Sequence, residues 1–408
     1  MNNCRFCKKE LEHLFMDLGH TPFSNAYLYK EQLHKPEINF PLRIYVCDDC
    51  WLVQTEDFAT REELFTDDYP YYSSTSLSWL KHCEDYSNKI IDLLELNQES
   101  CVVEIAANDG YLLKNFKNKD IPCFGFEPTK ETAEAASKQG INIIQEFFGV
   151  ETSKVFSKEH GKADLIIGNN VYAHVPDIND FTCGMKDLLK SGGTINLEFP
   201  HNMRLIESAQ FDTIYHEHFS YISLHTVNLI FKEAGLKIYD VQELSSHAGS
   251  LRIYGCHIDD PREISDSFYE ILLNEEKMGL RDLKTYLEFQ LIAENIKNNF
   301  LGFLLEQKNK GKVVCAYGAA AKGCTFLNFA GVRKDLISFI CDAASSKQGK
   351  FMPSSHIPIY SPDKIQEIKP DIVIILPWNL EKEITSQLSY IRDWGGKFCV
   401  ASPDIKVF

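Results

Sequence analysis

From residue 100 onward the chain alternates short apolar runs with amphipathic stretches, and that alternation predicts its architecture. CVVEIAANDGYLLKNF reads as a buried strand, a turn of small residues and a helix. CFGFEPT is the next strand and TAEAASKQG the helix after it, while INIIQ, ADLIIGNNV and GGTINLEF supply further strands. Apolar strands separated by helices predict a mostly parallel, doubly wound sheet. Ligands of such sheets bind beyond the carboxyl ends of the strands. A charged helical region, roughly Arg281 to Lys310, leads into a second series with the same texture: KVVCAYGAAAKGCTFLNF, LISFICDAA, DIVIILPW and KFCVASP. The expected fold is α/β, with a central Rossmann-like domain over 67–280 and a C-terminal Rossmann-like domain over 281–408. A small N-terminal unit over 1–66 is set apart by its cysteines.

That unit carries C-R-F-C at Cys4 and Cys7 and C-D-D-C at Cys47 and Cys50. Each knuckle lets two thiolates grip one tetrahedral ion, and the insert LGHTPFSNAYLYKEQ between them is an excursion. The competing readings are four free cysteines near a terminus, or a redox C-x-x-C, which needs only one pair with a helix behind it. With all four positions filled by Cys no coordination site stays open, so the expected zinc is structural. Its loss is expected to destabilise this unit and spare the chemistry of protein that stays folded. The other cysteines, such as Cys101, Cys123 and Cys341, sit in apolar runs as small buried hydrophobes.

Composition narrows the partners. The chain has 408 residues, 44% hydrophobic and 25% charged, which suits two or three globular domains. A formal net charge of −16 repels nucleic acid, so a phosphate-bearing ligand must be held locally by helix N-termini or a few cations. There is no run of 18 apolar residues and the start, MNNCRFCKKE, is no signal peptide, so a cytoplasmic monomer with no membrane partner is expected. The odd count of 13 cysteines fits a reducing compartment better than a disulfide scaffold.

The first βα turn separates cofactor classes. A nicotinamide site wants G-x-G-x-x-G, to admit a pyrophosphate. Here the strand is read to end at Glu104, and the turn holds Asn108, Asp109 and the lone Gly110. Flanking carboxylates repel a pyrophosphate and suit an ammonium-bearing ligand. Glu127 closes the second strand, 23 residues after Glu104, where a carboxylate can take both ribose hydroxyls. An acidic first strand, a short turn and a second-strand acid describe an S-adenosylmethionine site; the alternative is an ordinary βα turn.

At this point the sequence resembles a family, the sugar C-methyltransferases that act on nucleotide-linked keto-deoxysugars. The resemblance covers essentially the whole chain. It rests on the two knuckles, DYPYYSSTS, VVEIAANDGYLL, GFEPT, NNVYAHVPD, EFPH, YHEHFSYIS, HAGSLR and YGAAAKG, in that order. It implies a zinc-binding N-terminal domain, a central methyltransferase domain and a C-terminal Rossmann-like domain, with the substrate in the cleft between them.

Methyl transfer to a saturated sugar carbon needs a carbanion equivalent, which an adjacent ketone supplies as an enolate. That takes a general base near neutrality and a donor or relay for the oxyanion. YHEH offers both, and the resemblance places Tyr215, Glu217 and His218 in the active site, with His218 the preferred base and the other two orienting or relaying. His174 in NVYAHVPD and a tyrosine of DYPYYSSTS, either Tyr69 or Tyr71, would help hold the enolate. Asn170 is a further cofactor candidate and His216 a substrate candidate. In an extended strand Tyr215 and Glu217 would face away from His216 and His218, so a loop or helix start is expected there. His247 and Arg252, in HAGSLR, either meet substrate or pair at a sheet edge. YGAAAKGCT is no Walker motif, since lysine precedes the second glycine, but its helix N-terminus with Lys322 suits a diphosphate.

The expected function is S-adenosylmethionine-dependent methylation of carbon 3 of a nucleoside diphosphate 4-keto-6-deoxysugar. The rivals are an O- or N-methyltransferase, which needs no enolate, and a non-catalytic zinc-dependent scaffold.

Overall fold

The computed structural model describes residues 3–58, 60–64 and 72–408. Antiparallel β1 (His13–Thr21), β2 (Phe40–Val46) and β3 (Val53–Thr55) follow the first knuckle. β2 buries Leu42, Ile44 and Val46 and turns Arg43 and Tyr45 outward, the period-two pattern of a one-sided sheet. The central sheet begins with β4 (Val102–Ile105), β5 (Cys123–Phe126), β6 (Asn142–Ile144), β7 (Ala163–Asn169) and β8 (Leu189–Pro200), all parallel. β4 runs one residue past Glu104, and all four of its side chains are buried because helices cover both faces.

β9 (Ser220–Tyr221) leaves this sheet and pairs with β3, Val53 opposite Tyr221 and Gln54 opposite Ser220. A strand from the middle of the chain therefore completes the N-terminal sheet. β10 (Leu236–Leu244) and β11 (Ser250–His257) return to give the order β10-β11-β8-β7-β4-β5-β6, with β11 antiparallel to both neighbours.

The charged region after residue 280 forms two helices, Leu283–Leu287 and Phe289–Asn309. Beyond them β12 (Val314–Tyr317), β13 (Ile340–Cys341), β14 (Ile359–Tyr360), β15 (Ile372–Ile375) and β16 (Lys397–Val400) run parallel. Antiparallel β17 (Lys406–Val407) closes the order β14-β13-β12-β15-β16-β17. The protein is thus α/β, with a seven-stranded Rossmann-like sheet between the small N-terminal sheet that follows the first knuckle and a second, six-stranded Rossmann-like sheet. The first and last share one core: Phe15 on β1 packs 5.4 Å from Tyr286 and 5.0 Å from Phe289, ring centre to ring centre.

Candidate active site

The knuckles fold alike. Lys8 and Trp51, each just after the second Cys of its pair, take left-handed φ of 66° and 61°. Each returns its N–H to the first Cys carbonyl, Lys8 to Cys4 at 3.0 Å and Trp51 to Cys47 at 2.9 Å. The four Sγ atoms of Cys4, Cys7, Cys47 and Cys50 lie within 4.8 Å of one another, and the Cys4–Cys50 and Cys7–Cys47 pairs are each 3.5 Å apart. Zinc–sulfur bonds of about 2.3 Å set tetrahedral sulfurs about 3.8 Å apart, so the donor set fits a structural zinc.

Beyond the carboxyl ends of β4, β5, β7 and β8 lies a cavity of about 360 Å³, lined from all three domains. The helix Ala321–Phe329 brings its N-terminus to the same cavity, with Ala320, Ala321 and Lys322 in the wall. Both Rossmann-like sheets therefore address one space. Of the cofactor candidates, Asn108, Glu127 and Asn170 line it. Asn108, Asn170 and neighbouring Ala106 hold left-handed φ of 49°, 53° and 59°, the kind of backbone strain found at ligand sites. The amide atoms of buried Asn169, also in the wall, find no partner among the described residues, and neither does Asn170 Oδ1. Those open polar groups fit a polar cofactor.

Glu127 is partly committed. Its Oε1 accepts from the Thr129 N–H and the Thr132 hydroxyl, each at 3.0 Å, and from the Thr129 hydroxyl. Among the described residues its Oε2 accepts only the Asn108 N–H, at 2.9 Å, which leaves room for a ligand hydroxyl. Glu104, Asp109 and Gly110 lie behind the wall. Glu104 is fully buried, and burial pushes its carboxyl well above the usual range against an opposing hydrogen bond from Tyr111. Asp109 accepts the Ser74 N–H at 3.3 Å, as Asn108 accepts the Ser73 N–H at 2.9 Å, and the pair holds the segment before helix Leu77–Leu93. At Gly110, with φ 79°, a Cβ would stand 3.1 Å from Ile141 Cγ1 and 3.2 Å from Ala136 Cβ, so its glycine serves close packing.

YHEH is a tight turn, closed by the His218 N–H on the Tyr215 carbonyl at 3.0 Å. The turn does what a strand would forbid: it sets Tyr215 beside His218, hydroxyl to Nε2 at 2.8 Å, and both line the cavity. His218 Nδ1 lies 2.9 Å from the Thr213 carbonyl, and a carbonyl only accepts, so Nδ1 carries the hydrogen and Nε2 is the basic nitrogen. His174, also in the wall, spends its Nδ1–H on the Glu217 carbonyl at 2.6 Å and meets the His218 ring edge-on at 4.6 Å. Burial pushes His174 down to about 4, so it is neutral at pH 7 and its Nε2 can only accept. Glu217 lies just behind the wall, 1% exposed, with Oε1 accepting from Asn25 Nδ2 at 3.1 Å and no partner for Oε2 among the described residues. Burial pushes its carboxyl up to about 7.

His216 points elsewhere. Its Nε2–H donates to the Pro41 carbonyl at 3.1 Å, and its ring packs on Phe23 and Phe40 of the zinc-binding domain. Arg252 also misses the cavity. It bonds Glu198 at 2.5 Å and lies over the Tyr86 ring at 4.3 Å, while Arg252, His82 and Ser246 overcome burial to hold Glu198 at about 2. Lys322 is in the wall, bonded to Asn379 at 2.8 Å, and burial lowers its pKa despite nearby Asp212. Tyr69 and Tyr71 lie outside the described residues, as does the side chain of His247.

Sequence reasoning missed Asn25, Trp79, Phe148 and Lys347, which also line the cavity. Phe148 follows the carboxyl end of β6, a position where a ligand contact could have been sought. The others come from segments that carry no such signal.

Residues 4–65 match a family of zinc binding domains, residues 77–241 a methyltransferase domain and residues 245–403 the C-methyltransferase C-terminal domain. The chain is 31% identical to C-methyltransferase NovU of Streptomyces niveus over 407 residues, covering 100% of this chain and 97% of that protein. Among solved structures it is similar to an S-adenosylmethionine-dependent methyltransferase of Anabaena variabilis, at 15% identity and TM-score 0.37, over 48% of this chain and 91% of that one. It is also similar to magnesium protoporphyrin IX methyltransferase of Synechocystis, at 12% identity and TM-score 0.34, over 43% of this chain and 81% of that one.

Three outcomes follow from this geometry. Purified protein should contain about one zinc per chain, and Cys47→Ser should lose it in elemental analysis, with a fall in thermal stability. Glu127→Ala should weaken S-adenosylmethionine binding by about 1–3 kcal/mol, read by calorimetry; unchanged affinity would put the ribose elsewhere. Glu217→Gln should stabilise the fold at pH 8 and not at pH 5. The folded carboxyl titrates at about 7, above an unfolded glutamate, so the native state loses stability as pH rises through that window. Urea unfolding at the two pH values should show a difference on the order of 2–3 kcal/mol.

Proposed function

The chain belongs to the family of S-adenosylmethionine-dependent C-methyltransferases that carry a zinc-binding domain, and from that premise we propose that it methylates carbon 3 of a nucleoside diphosphate 4-keto-6-deoxysugar through an enolate. The observation that carries this reading is the Tyr215–His218 pair on the cavity wall. A saturated carbon has no lone pair, and a neighbouring ketone makes its proton removable by a base near neutrality. His218 Nε2 is basic but already holds the Tyr215 phenol. The α proton therefore goes to the Tyr215 oxygen as the phenolic proton moves to Nε2. The C–H electron pair becomes the enolate double bond, and the ketone oxygen takes the charge.

Bound S-adenosylmethionine supplies an electrophilic methyl group for that carbon. Glu127 Oε2 would take a ribose hydroxyl, the slot lined by Phe126, Phe148 and Phe181 suits the flat adenine, and Asn169 and Asn170 meet the polar end. Lys322 and Lys347, the lysines of the wall among the described residues, suit a diphosphate. The reading keeps the domain limits at 66/67 and 280/281, which leaves β11 with the sheet into which it is hydrogen-bonded. It also keeps the expectation of a cytoplasmic monomer. The compartment is supported by 13 cysteines without a disulfide, four of them the zinc set, and no helix among the described residues is long and apolar enough to cross a membrane.

His218→Asn should lower both methyl transfer and solvent-deuterium exchange at the α carbon by about 100-fold to 10,000-fold, with both ligands still bound. Tyr215→Phe, which removes the atom facing the substrate, should lose exchange to a similar degree. Methyl transfer by the wild type without any α exchange would favour an oxygen or nitrogen acceptor and sink the enolate.

A further inference from the structure

An enolate needs a hydrogen-bond donor at its oxygen, and most polar side chains around the catalytic turn have already spent theirs. Tyr215 gives its hydroxyl proton to His218, and Thr213 gives its own to the Gln210 carbonyl at 2.7 Å. His174 spends Nδ1–H on the Glu217 carbonyl, and its other nitrogen carries no hydrogen in the neutral ring. Lys322 and Lys347 each give one hydrogen, to Asn379 and to the Ala319 carbonyl, and their remaining hydrogens are the ones assigned above to the diphosphate.

Asn25 is different. It comes from the zinc-binding domain, in the excursion between the knuckles, yet it stands in the cavity wall. Its Nδ2 carries two hydrogens, and Glu217 Oε1 takes one at 3.1 Å. Glu217 Oε1 accepts this bond whether or not a proton sits on Oε2, so Glu217 fixes which way the amide faces and keeps Nδ2 from turning over. The excursion is pinned on both sides of Asn25. Asn328 Nδ2 donates to Thr21 Oγ1 at 2.9 Å, the Tyr27 hydroxyl donates to the Ala319 carbonyl at 2.6 Å, and Leu28 exchanges backbone bonds with Phe351 at 2.8 and 3.0 Å. A donor held this way reorganises little when charge develops beside it, which is the condition for transition-state stabilisation.

Resting on the enolate reading above, we infer that Asn25 is a catalytic residue whose second Nδ2–H donates to the ketone oxygen as it becomes the enolate. The α proton leaves to Tyr215 and His218, the carbonyl π pair moves onto oxygen, and that oxygen accepts the Asn25 hydrogen bond. Glu217 is then the positioning residue that keeps the amide turned to its task, which accounts for a buried carboxyl that does not itself reach the cavity.

The test is Asn25→Leu, close in size and without a donor, with Asn25→Ala beside it, in the full-length protein loaded with zinc. The probes are dTDP- and GDP-linked 4-keto-6-deoxyhexoses in deuterated buffer, with S-adenosylhomocysteine for exchange and S-adenosylmethionine for transfer. Exchange and transfer should fall together by about 100-fold to 1,000-fold in both variants, carried by kcat, with cofactor affinity and melting temperature near wild type. A leucine variant that exchanges at the wild-type rate would overturn the assignment and leave the enolate reading standing. Loss of the fold or of cofactor binding in both variants would make Asn25 a structural loop residue and overturn it equally. A wild type that exchanges neither probe would take down the ketosugar reading and this inference with it.

Discussion

The YHEH turn has no ladder of its own, so its backbone carbonyls must find partners outside regular structure or be buried unpaired at a cost. Those partners come from every domain. The Thr213 carbonyl takes His218 Nδ1–H, the Ile214 carbonyl takes the Thr325 hydroxyl, and the Glu217 carbonyl takes His174 Nδ1–H. Thr55 of β3 supplies both the hydroxyl on the His218 carbonyl, at 3.0 Å, and the N–H on the Phe219 carbonyl, at 3.2 Å. Thr325 belongs to the C-terminal domain and Thr55 to the zinc-binding domain. Satisfying a short loop is thus what locks three domains around one cavity, and the chemistry inherits the result. Each histidine that serves a carbonyl through Nδ1 has its tautomer set, with Nε2 the ring nitrogen that carries no hydrogen in the neutral form.

Charge follows the same logic. The cavity belongs to a protein of net charge −16, yet the acids nearest the turn are buried and hold their protons more tightly than free carboxyls. Burial lifts Glu217 to about 7, and it raises Asp212, whose Oδ2 accepts the Trp378 indole N–H at 2.7 Å. Fully ionised acids there would oppose an anionic intermediate. Glu198 is the contrast: it is buried as deeply but paired with Arg252 and His82, and so it stays charged away from the cavity wall.

How much of this could be read from the residues depends on whether function and local pattern coincide. The knuckles were legible because metal geometry dictates their spacing, and so were the parallel strands, because burial on both faces makes them continuous apolar runs. Glu127 and Lys322 were legible as positions, at a strand end and a helix start, where a doubly wound sheet offers ligand contacts. YHEH was legible as a break from extended strand, a loop or a helix start, but not that its turn pairs Tyr215 with His218 and sends His216 toward Pro41, because only tertiary partners decide that. β11 was hidden for a related reason: it enters antiparallel from a segment with no βα texture. Asn25 lay in an insert whose sequence marks an excursion and says nothing of where the excursion goes.

If Asn25 acts as inferred, the excursion gives the zinc-binding domain a part in the reaction. A closed four-cysteine site reads as a stability device, separable from catalysis in any protein that stays folded. The chain connects the two more closely. Arg5, inside the first knuckle, donates to the Pro176 carbonyl at 2.9 Å and the Thr55 carbonyl at 3.1 Å, and Pro176 is part of the cavity wall. The Cys50 carbonyl accepts the Thr226 hydroxyl at 3.2 Å, just past β9. From the second knuckle it is a few residues to β3, from β3 one hydrogen bond to the His218 backbone. A metal that fixes the knuckles therefore fixes β3, and through it the direction in which His218 and Tyr215 point. Because a misplacement of about 1 Å can cost two orders of magnitude in rate, the proposed roles of Tyr215 and His218 would make such a site part of the reaction geometry even though it never meets the substrate.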